Sequence, residues 1–152
     1  MKIAVACDHA GYPLKQTVME IVREEGYEGF DLGTNSVEPV DYPDYALKLG
    51  KFIQSGQADR GILLCGSGVG ACIAANKIHG IYGCVCHDTY SAHQGVEHDD
   101  MNVLCIGTRI IGPELAKEIV TVFLRARFLG NEPKQERHSR RVEKIRKMED
   151  LR

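Results

Sequence analysis

Gly61-Ile62-Leu63-Leu64-Cys65-Gly66-Ser67-Gly68-Val69-Gly70 passes from an apolar run to a glycine-rich turn, then into a segment of helical period from Val69 to Lys77. Read in order, the stretch is a strand, a tight loop and a helix. Its glycines let the backbone turn sharply and aim amide hydrogens at an anion or oxyanion. They equally suit a turn required only for close packing, and both readings stand at this point.

Outward from this unit the alternation repeats. Ile3 to Ala6, Tyr82 to Cys86 and Val103 to Ile106 are further strands, and Glu28 to Leu32 is a weaker one. Helices are expected at Pro13 to Glu25, Tyr42 to Ser55, Tyr90 to Glu97 and Gly112 to Arg127, the last opened by Gly112-Pro113. Such alternation implies right-handed crossovers and a mostly parallel sheet covered on both faces. The expected class is α/β, a three-layer Rossmann-like sandwich with a mostly parallel five-stranded sheet and a C-terminal helix. A chain of 152 residues fits one domain, residues 1–152. Gly130-Asn131-Glu132-Pro133 sets off the basic helix, Lys134 to Arg152. Its Val142, Ile145 and Met148 have little else to bury, so it is expected to pack on a neighbouring subunit.

Nineteen basic and twenty-one acidic residues leave a net charge of −2, so no global field draws nucleic acid or an anionic membrane. No run approaches the ~20 apolar residues of a membrane span. Lys2-Ile3-Ala4-Val5-Ala6 opens the chain without the basic region, apolar stretch and cleavage site of a leader. A small ligand and a cytoplasmic location are expected, with no nucleic-acid or membrane partner. The six cysteines, Cys7, Cys65, Cys72, Cys84, Cys86 and Cys105, contain no CxxC pair, which argues against a disulfide framework and a zinc ribbon. Reduced thiols and no metal are expected. The alternative is convergence of Cys7, Cys65, Cys86 and Cys105 on an ion at the strand ends.

Ligands of such sheets bind beyond the carboxyl ends of the strands. Asp8-His9 follows the first strand and offers a carboxylate for a sugar hydroxyl and an imidazole for a hydroxyl or phosphate, or else a helix cap near Pro13. Asp41-Tyr42-Pro43 caps the second helix and can bring a phenol to the same rim. Cys65 stands at the mouth of the glycine loop, where a helix N-terminus favours thiolate, as a base or nucleophile. His98-Asp99-Asp100-Met101-Asn102 sets an imidazole beside amide and carboxylate groups. Arg137 and Arg141, four apart on one helical face, can grip a phosphate, with Arg109 as a third cation; a solvated basic face is the plain alternative. Gly66, Gly68 and Ala71 also fit the relaxed dinucleotide fingerprint, with Asp88 as a ribose partner. Against that reading, the motif follows the third strand and no second domain is present to hold a hydride donor or acceptor.

Together and in order, Cys7-Asp8-His9, Asp41-Tyr42-Pro43, the Gly61 to Gly70 stretch, Ala74-Ala75-Asn76-Lys77, His98 with Asn102, and Gly107-Thr108-Arg109 resemble the type B ribose-5-phosphate isomerase family. That family includes the galactose-6-phosphate isomerase subunits, and the resemblance runs from Lys2 to about Lys147. It implies aldose-ketose isomerisation of a sugar phosphate, ribose 5-phosphate to ribulose 5-phosphate in the pentose phosphate pathway. It implies no metal or organic cofactor, and a homodimer or homotetramer with active sites between subunits. By position, the resemblance makes Cys65 the base that moves a proton between C1 and C2 through a cis-enediolate. Ser67 and the amides of Gly66, Ser67, Gly68, Val69 and Gly70 would stabilise the oxyanion, and His98 would be the ring-opening acid. Asp8 would hold hydroxyls, Tyr42 would line the pocket, and His9, Arg109, Arg137 and Arg141 would meet the phosphate.

The sequence departs from the family pattern at Ser67, where threonine is common, and at Ala71, where some members carry a glutamate base. It departs again at Asp99, where asparagine commonly binds the sugar, which leaves six-carbon phosphates open. Residues 129–136 also form a longer segment than usual. Outside the enzyme class, the alternative is a nucleotide- or sugar-phosphate-binding module without turnover.

Overall fold

The computed structural model describes residues 1–151. In chain order the elements are β1 (Lys2–Cys7), α1 (Tyr12–Glu24), β2 (Glu28–Asp31), α2 (Tyr42–Gln54), β3 (Arg60–Cys65) and α3 (Val69–Ala75). There follow β4 (Gly83–Val85), α4 (Thr89–Asp99), β5 (Val103–Gly107), α5 (Pro113–Arg125) and α6 (Glu136–Glu149). Arg152, where the last helix was expected to end, lies outside the described residues. The strands form one sheet in the order β2-β1-β3-β5-β4, every pairing parallel.

The three central strands are almost continuously apolar because both of their faces are covered. Ile3, Val5, Cys7, Ile62, Leu64, Leu104 and Ile106 face α1, α4 and α5, where Val18, Val96, Ile119 and Phe123 complete one core. Their chain neighbours Ala4, Ala6, Leu63, Cys65, Val103 and Cys105 point the other way, against Ala46 and Leu49 of α2 and Ala71 and Ala75 of α3. The alternation follows from the two-residue period of a strand. Each fully buried leucine, isoleucine or phenylalanine contributes about 1.5–3 kcal/mol, and these two layers carry most of them.

Proline in the first turn starts α1, α2 and α5. Asp41 occupies the N-cap position of α2 but makes no side-chain capping bond. The ladder of β4 is shorter than the expected Tyr82 to Cys86. At its beginning the Tyr82 N–H turns to the Asn102 side chain, at 2.8 Å, rather than to a neighbouring strand. Helix α6 lies on α4 of its own chain: His138 stacks on His98, Arg146 bonds Asp100 at 2.7 Å, and Glu149 accepts from the Tyr82 hydroxyl at 3.2 Å. Of the apolar trio expected to face another subunit, Val142 is buried here, whereas Ile145 and Met148 remain 40% and 61% exposed. No helix among the described residues is long and apolar enough to cross a membrane.

The connection after β1 leads through α1 outward to β2, while the connection after β3 leads through α3 the opposite way, to β4. Adjacent strands whose connections diverge leave a crevice between their carboxyl ends. Asp8-His9 and the Cys65 to Gly70 loop stand on its two sides.

Candidate active site

A cavity of about 370 Å³ fills this crevice, and Asp8, His9, Tyr42, Cys65, Gly66, Ser67, Gly70 and Arg109 line it. Its floor is Cys65, the last residue of β3 and only 5% exposed. The loop curls back so that the Gly68 N–H donates to the Cys65 sulfur at 3.1 Å, a bond that strengthens when sulfur carries charge. The curl demands φ of 81° at Gly68, a left-handed backbone in which a side chain is strained. Gly70 has a different reason: a Cβ there would lie 2.8 Å from the Tyr42 ring, so glycine lets the phenol lie across the start of α3.

The five loop amides expected to act as oxyanion donors divide into two groups. Gly68 N–H is taken by Cys65, and Val69 N–H bonds Ser67 Oγ at 3.3 Å. Among the described residues, the Gly66, Ser67 and Gly70 amides donate to no protein group. Because Ser67 Oγ accepts from Val69, its own hydrogen is free to donate. The Val69 side chain, 52% exposed, lies on the outer surface instead of in the cavity.

Across the crevice Asp8 is buried, with Oδ1 accepting from Gly11 N–H at 2.8 Å, so it both shapes the turn into α1 and keeps a second oxygen without a partner among the described residues. His9 Nδ1 lies 3.1 Å from Val40 N and 3.2 Å from Val40 O, so the backbone of Val40 holds this side of the ring and Nε2 is left for a ligand. Val40 is held by the segment after β2, which Lys15 anchors through Asp31 Oδ2 at 2.8 Å, Thr34 O at 2.7 Å and Asn35 Oδ1 at 3.1 Å. The Arg109 guanidinium lies over Gly66 and makes no ion pair among the described residues. Thr108, which follows the fifth strand beside Arg109, ties the two sides together by donating to Ala10 O at 2.7 Å.

His98, Asp99, Arg137 and Arg141 are not in this cavity. Helix α4 runs back from the carboxyl ends of the strands over 11 residues, roughly 16 Å of helix, and His98 lies in its last turn. It also packs on the face of the sheet opposite Cys65. There the His98 ring stacks on His138 with centroids 4.1 Å apart, and Gln94 Nε2 lies 2.9 Å from His98 Nδ1. His138 is 2% exposed and neither ring nitrogen has a partner among the described residues. Burial holds its pKa below the ordinary histidine value, and the charges of His98, Arg137 and Arg141 push the same way. The candidate residues thus form two groups toward opposite ends of one sheet.

Other expectations change. Asp88 is the N-cap of α4, accepting from Ser91 N–H at 2.7 Å, which holds its carboxyl below the usual range and gives it a structural task in place of a ribose contact. Asn102, grouped with His98 by sequence, instead bonds Tyr82 N–H and Gly80 O, and Asn76 clips both backbone groups of Gly83. The four cysteines considered for a metal do not converge: Cys7 and Cys86 lie in one core layer, Cys65 and Cys105 in the other. Burial raises the Cys7 thiol to about 11, as suits a reduced core residue. A larger cavity, about 670 Å³, lies beside α6, lined by Asp59, His79, Tyr82, Asp100, Arg146 and Glu149. Arg146 there pairs with Asp100, His79 Nε2 lies 3.4 Å from Glu149 Oε2, and the lining holds no thiol, so the smaller cavity is the candidate site.

A family model described as Ribose/Galactose Isomerase matches residues 3–145. The chain belongs to that family. Among ribose/galactose isomerase relatives, ribose-5-phosphate isomerase B of Escherichia coli is 46% identical over 151 residues, covering 99% of this chain and 98% of the relative. D-erythrulose-4-phosphate isomerase of Pectobacterium atrosepticum is 43% identical over 131 residues, 86% of each chain. The solved structure of Clostridium thermocellum ribose-5-phosphate isomerase B superposes with a TM-score of 0.93 at 44% identity, covering 99% of both chains. Family membership gives the glycine loop its context, because the isomerase names attach to relatives aligned over nearly the whole fold.

Proposed function

We propose that this protein is an aldose-ketose isomerase that interconverts ribose 5-phosphate and ribulose 5-phosphate through a cis-enediolate, within the pentose phosphate pathway. The observation that carries the reading is the Cys65 cavity, where a buried thiol, a serine hydroxyl and undonated loop amides face an unpaired arginine across a space of about 370 Å³. Cys65 takes the C2 proton of the open-chain aldose and returns it to C1. Meanwhile the O2 hydroxyl proton passes to O1, and charge on the enediolate oxygens is met by Ser67 and the amides of Gly66, Ser67 and Gly70. Asp8 accepts from sugar hydroxyls. His9 and Arg109 hold the phosphate, whose distance from the reacting carbons keeps the chain in register.

The ring-opening acid His98, with Asp99, Arg137 and Arg141, reaches this cavity from a second copy of the chain. A homodimer is supported by the apolar rim of the site: Val69 and Ile73, one turn apart on α3, are 52% and 59% exposed, and Ile110 beside Arg109 is 57% exposed. Burying such a patch against a partner is the usual fate of exposed apolar surface. A cytoplasmic location accords with free thiols and the absence of a membrane-crossing helix among the described residues.

The test is a turnover assay with ribose 5-phosphate beside tetrose, allose and galactose phosphates, and binding titrations with NAD and AMP. Ribose 5-phosphate should show the highest kcat/KM. Preference for another sugar phosphate would move the substrate assignment, and nucleotide binding without any turnover would overturn the enzyme reading.

A further inference from the structure

Gln94 and His98 are four residues apart on α4 and therefore on one helical face. The side-chain nitrogen of Gln94 lies 2.9 Å from His98 Nδ1. An amide nitrogen only donates, so Nδ1 is the acceptor and the imidazole proton resides on Nε2, across the ring. From the other side His138 covers the His98 ring with planes inclined by 24°, and since neither His138 nitrogen has a partner, it supplies contact without competing for the His98 proton.

We propose that Gln94 is a positioning residue for His98, fixing through its side-chain amide which imidazole nitrogen exchanges a proton with the sugar. This rests on His98 acting in ring opening, as argued above. With neutral His98 the amide nitrogen donates to Nδ1. When His98 is protonated, rotation of the same amide by half a turn brings Oε1 to accept from Nδ1–H. Ring opening starts from the protonated imidazole: its Nε2–H passes to the ring oxygen as the carbon–oxygen bond breaks, the neutral ring so formed keeps Nδ1–H on Gln94 Oε1, and the anomeric hydroxyl proton then returns to the vacant Nε2. A residue that can only accept, or can do neither, lacks this adaptability.

The experiment has one arm that is independent of turnover. Long-range proton–nitrogen NMR on the full chain reports the protonated nitrogen of each histidine, and a His98→Asn variant identifies the His98 signals. Under conditions where the ring is neutral, the parent should carry its proton on Nε2. Gln94→Glu, whose carboxylate accepts from Nδ1–H, should move it to Nδ1, and Gln94→Leu should give a mixture. An Nδ1–H tautomer in the parent, or an unchanged tautomer in Gln94→Glu, would overturn the proposal even for an active enzyme.

In the second arm, Gln94→Leu should lower kcat on ribose 5-phosphate about tenfold, part of the ~100-fold or more that a positioned proton donor contributes, with KM within about twofold. Unchanged kcat in both variants would likewise overturn it. A parent inactive on every sugar phosphate would count against the isomerase reading and leave the tautomer result to decide the role of Gln94.

Discussion

The rings of His98 and His138 lie face to face, 4.1 Å between centroids, one on α4 and the other on α6. His138 is held below its ordinary pKa first by burial and then by the His98 charge. The unfolded chain therefore takes up the proton before the native state does. Stability is complete above the unfolded value, about 6.5, and declines as pH falls through it. His138→Phe keeps the stack and removes the titration. Melting curves should show the parent losing ground to this variant on acidification below about pH 6.5; a constant difference between them would assign the acid sensitivity to other groups.

Cys65 is the thiol on the cavity floor and has no substitute in the loop, since Ala71 lacks a side-chain base. Cys65→Ala should reduce kcat by about a thousandfold, within the usual range for a positioned base, and retain sugar-phosphate binding by calorimetry. Turnover close to that of the parent would remove Cys65 from the mechanism.

Complementation tests the sharing of sites. Cys65→Ala and His98→Asn are each expected to be inactive. If each site takes Cys65 from one copy and His98 from another, mixed dimers contain one intact site, and refolding the two variants together should restore about a quarter of parental activity. A mixture as inactive as its components would place both residues in a single-chain site.

Asp99 is exposed beside His98 and, as a carboxylate, accepts hydrogen bonds without donating. Asp99→Asn restores a donor. Its expected effect is a change in the ratio of kcat/KM between five- and six-carbon phosphates, with the melting temperature nearly constant. An unaltered ratio would show that another residue sets sugar preference.

Arg60 donates to Phe123 O at 2.8 Å and to Ala126 O at 2.9 Å, fastening the end of α5 to the start of β3. Arg60→Met preserves the stem and deletes both bonds. Urea unfolding should register a loss of about 2 kcal/mol, the scale of hydrogen bonds from a charged donor, without a change in KM.

The central strands were legible because β1, β3 and β5 carry apolar runs that only a sheet buried on both faces needs. β4 was harder. It lies at the edge, Cys84 is exposed, and Asn102 takes over the hydrogen bond that would have extended it. Within the candidate site, Asp8, Cys65, Ser67 and Arg109 could be found because each ends or closely follows a strand. His98 and the two arginines carried a chemical signal but no positional one, since helix period says which residues share a face and nothing about which end of the sheet they reach. Gln94 belongs to no motif. Its only sequence cue was lying one helical turn before a candidate histidine.

The segment after β2 is fastened at two points, by Lys15 at Thr34 and Asn35 and by His9 at Val40. Between them Ser36, Val37, Glu38 and Pro39 are exposed. This short arch can change in length or composition while both of its footings stay in place, because added residues enlarge a surface loop at little entropic cost. A fluorescent label or a peptide tag inserted there is expected to report on the neighbouring crevice while Lys15 and His9 keep their contacts.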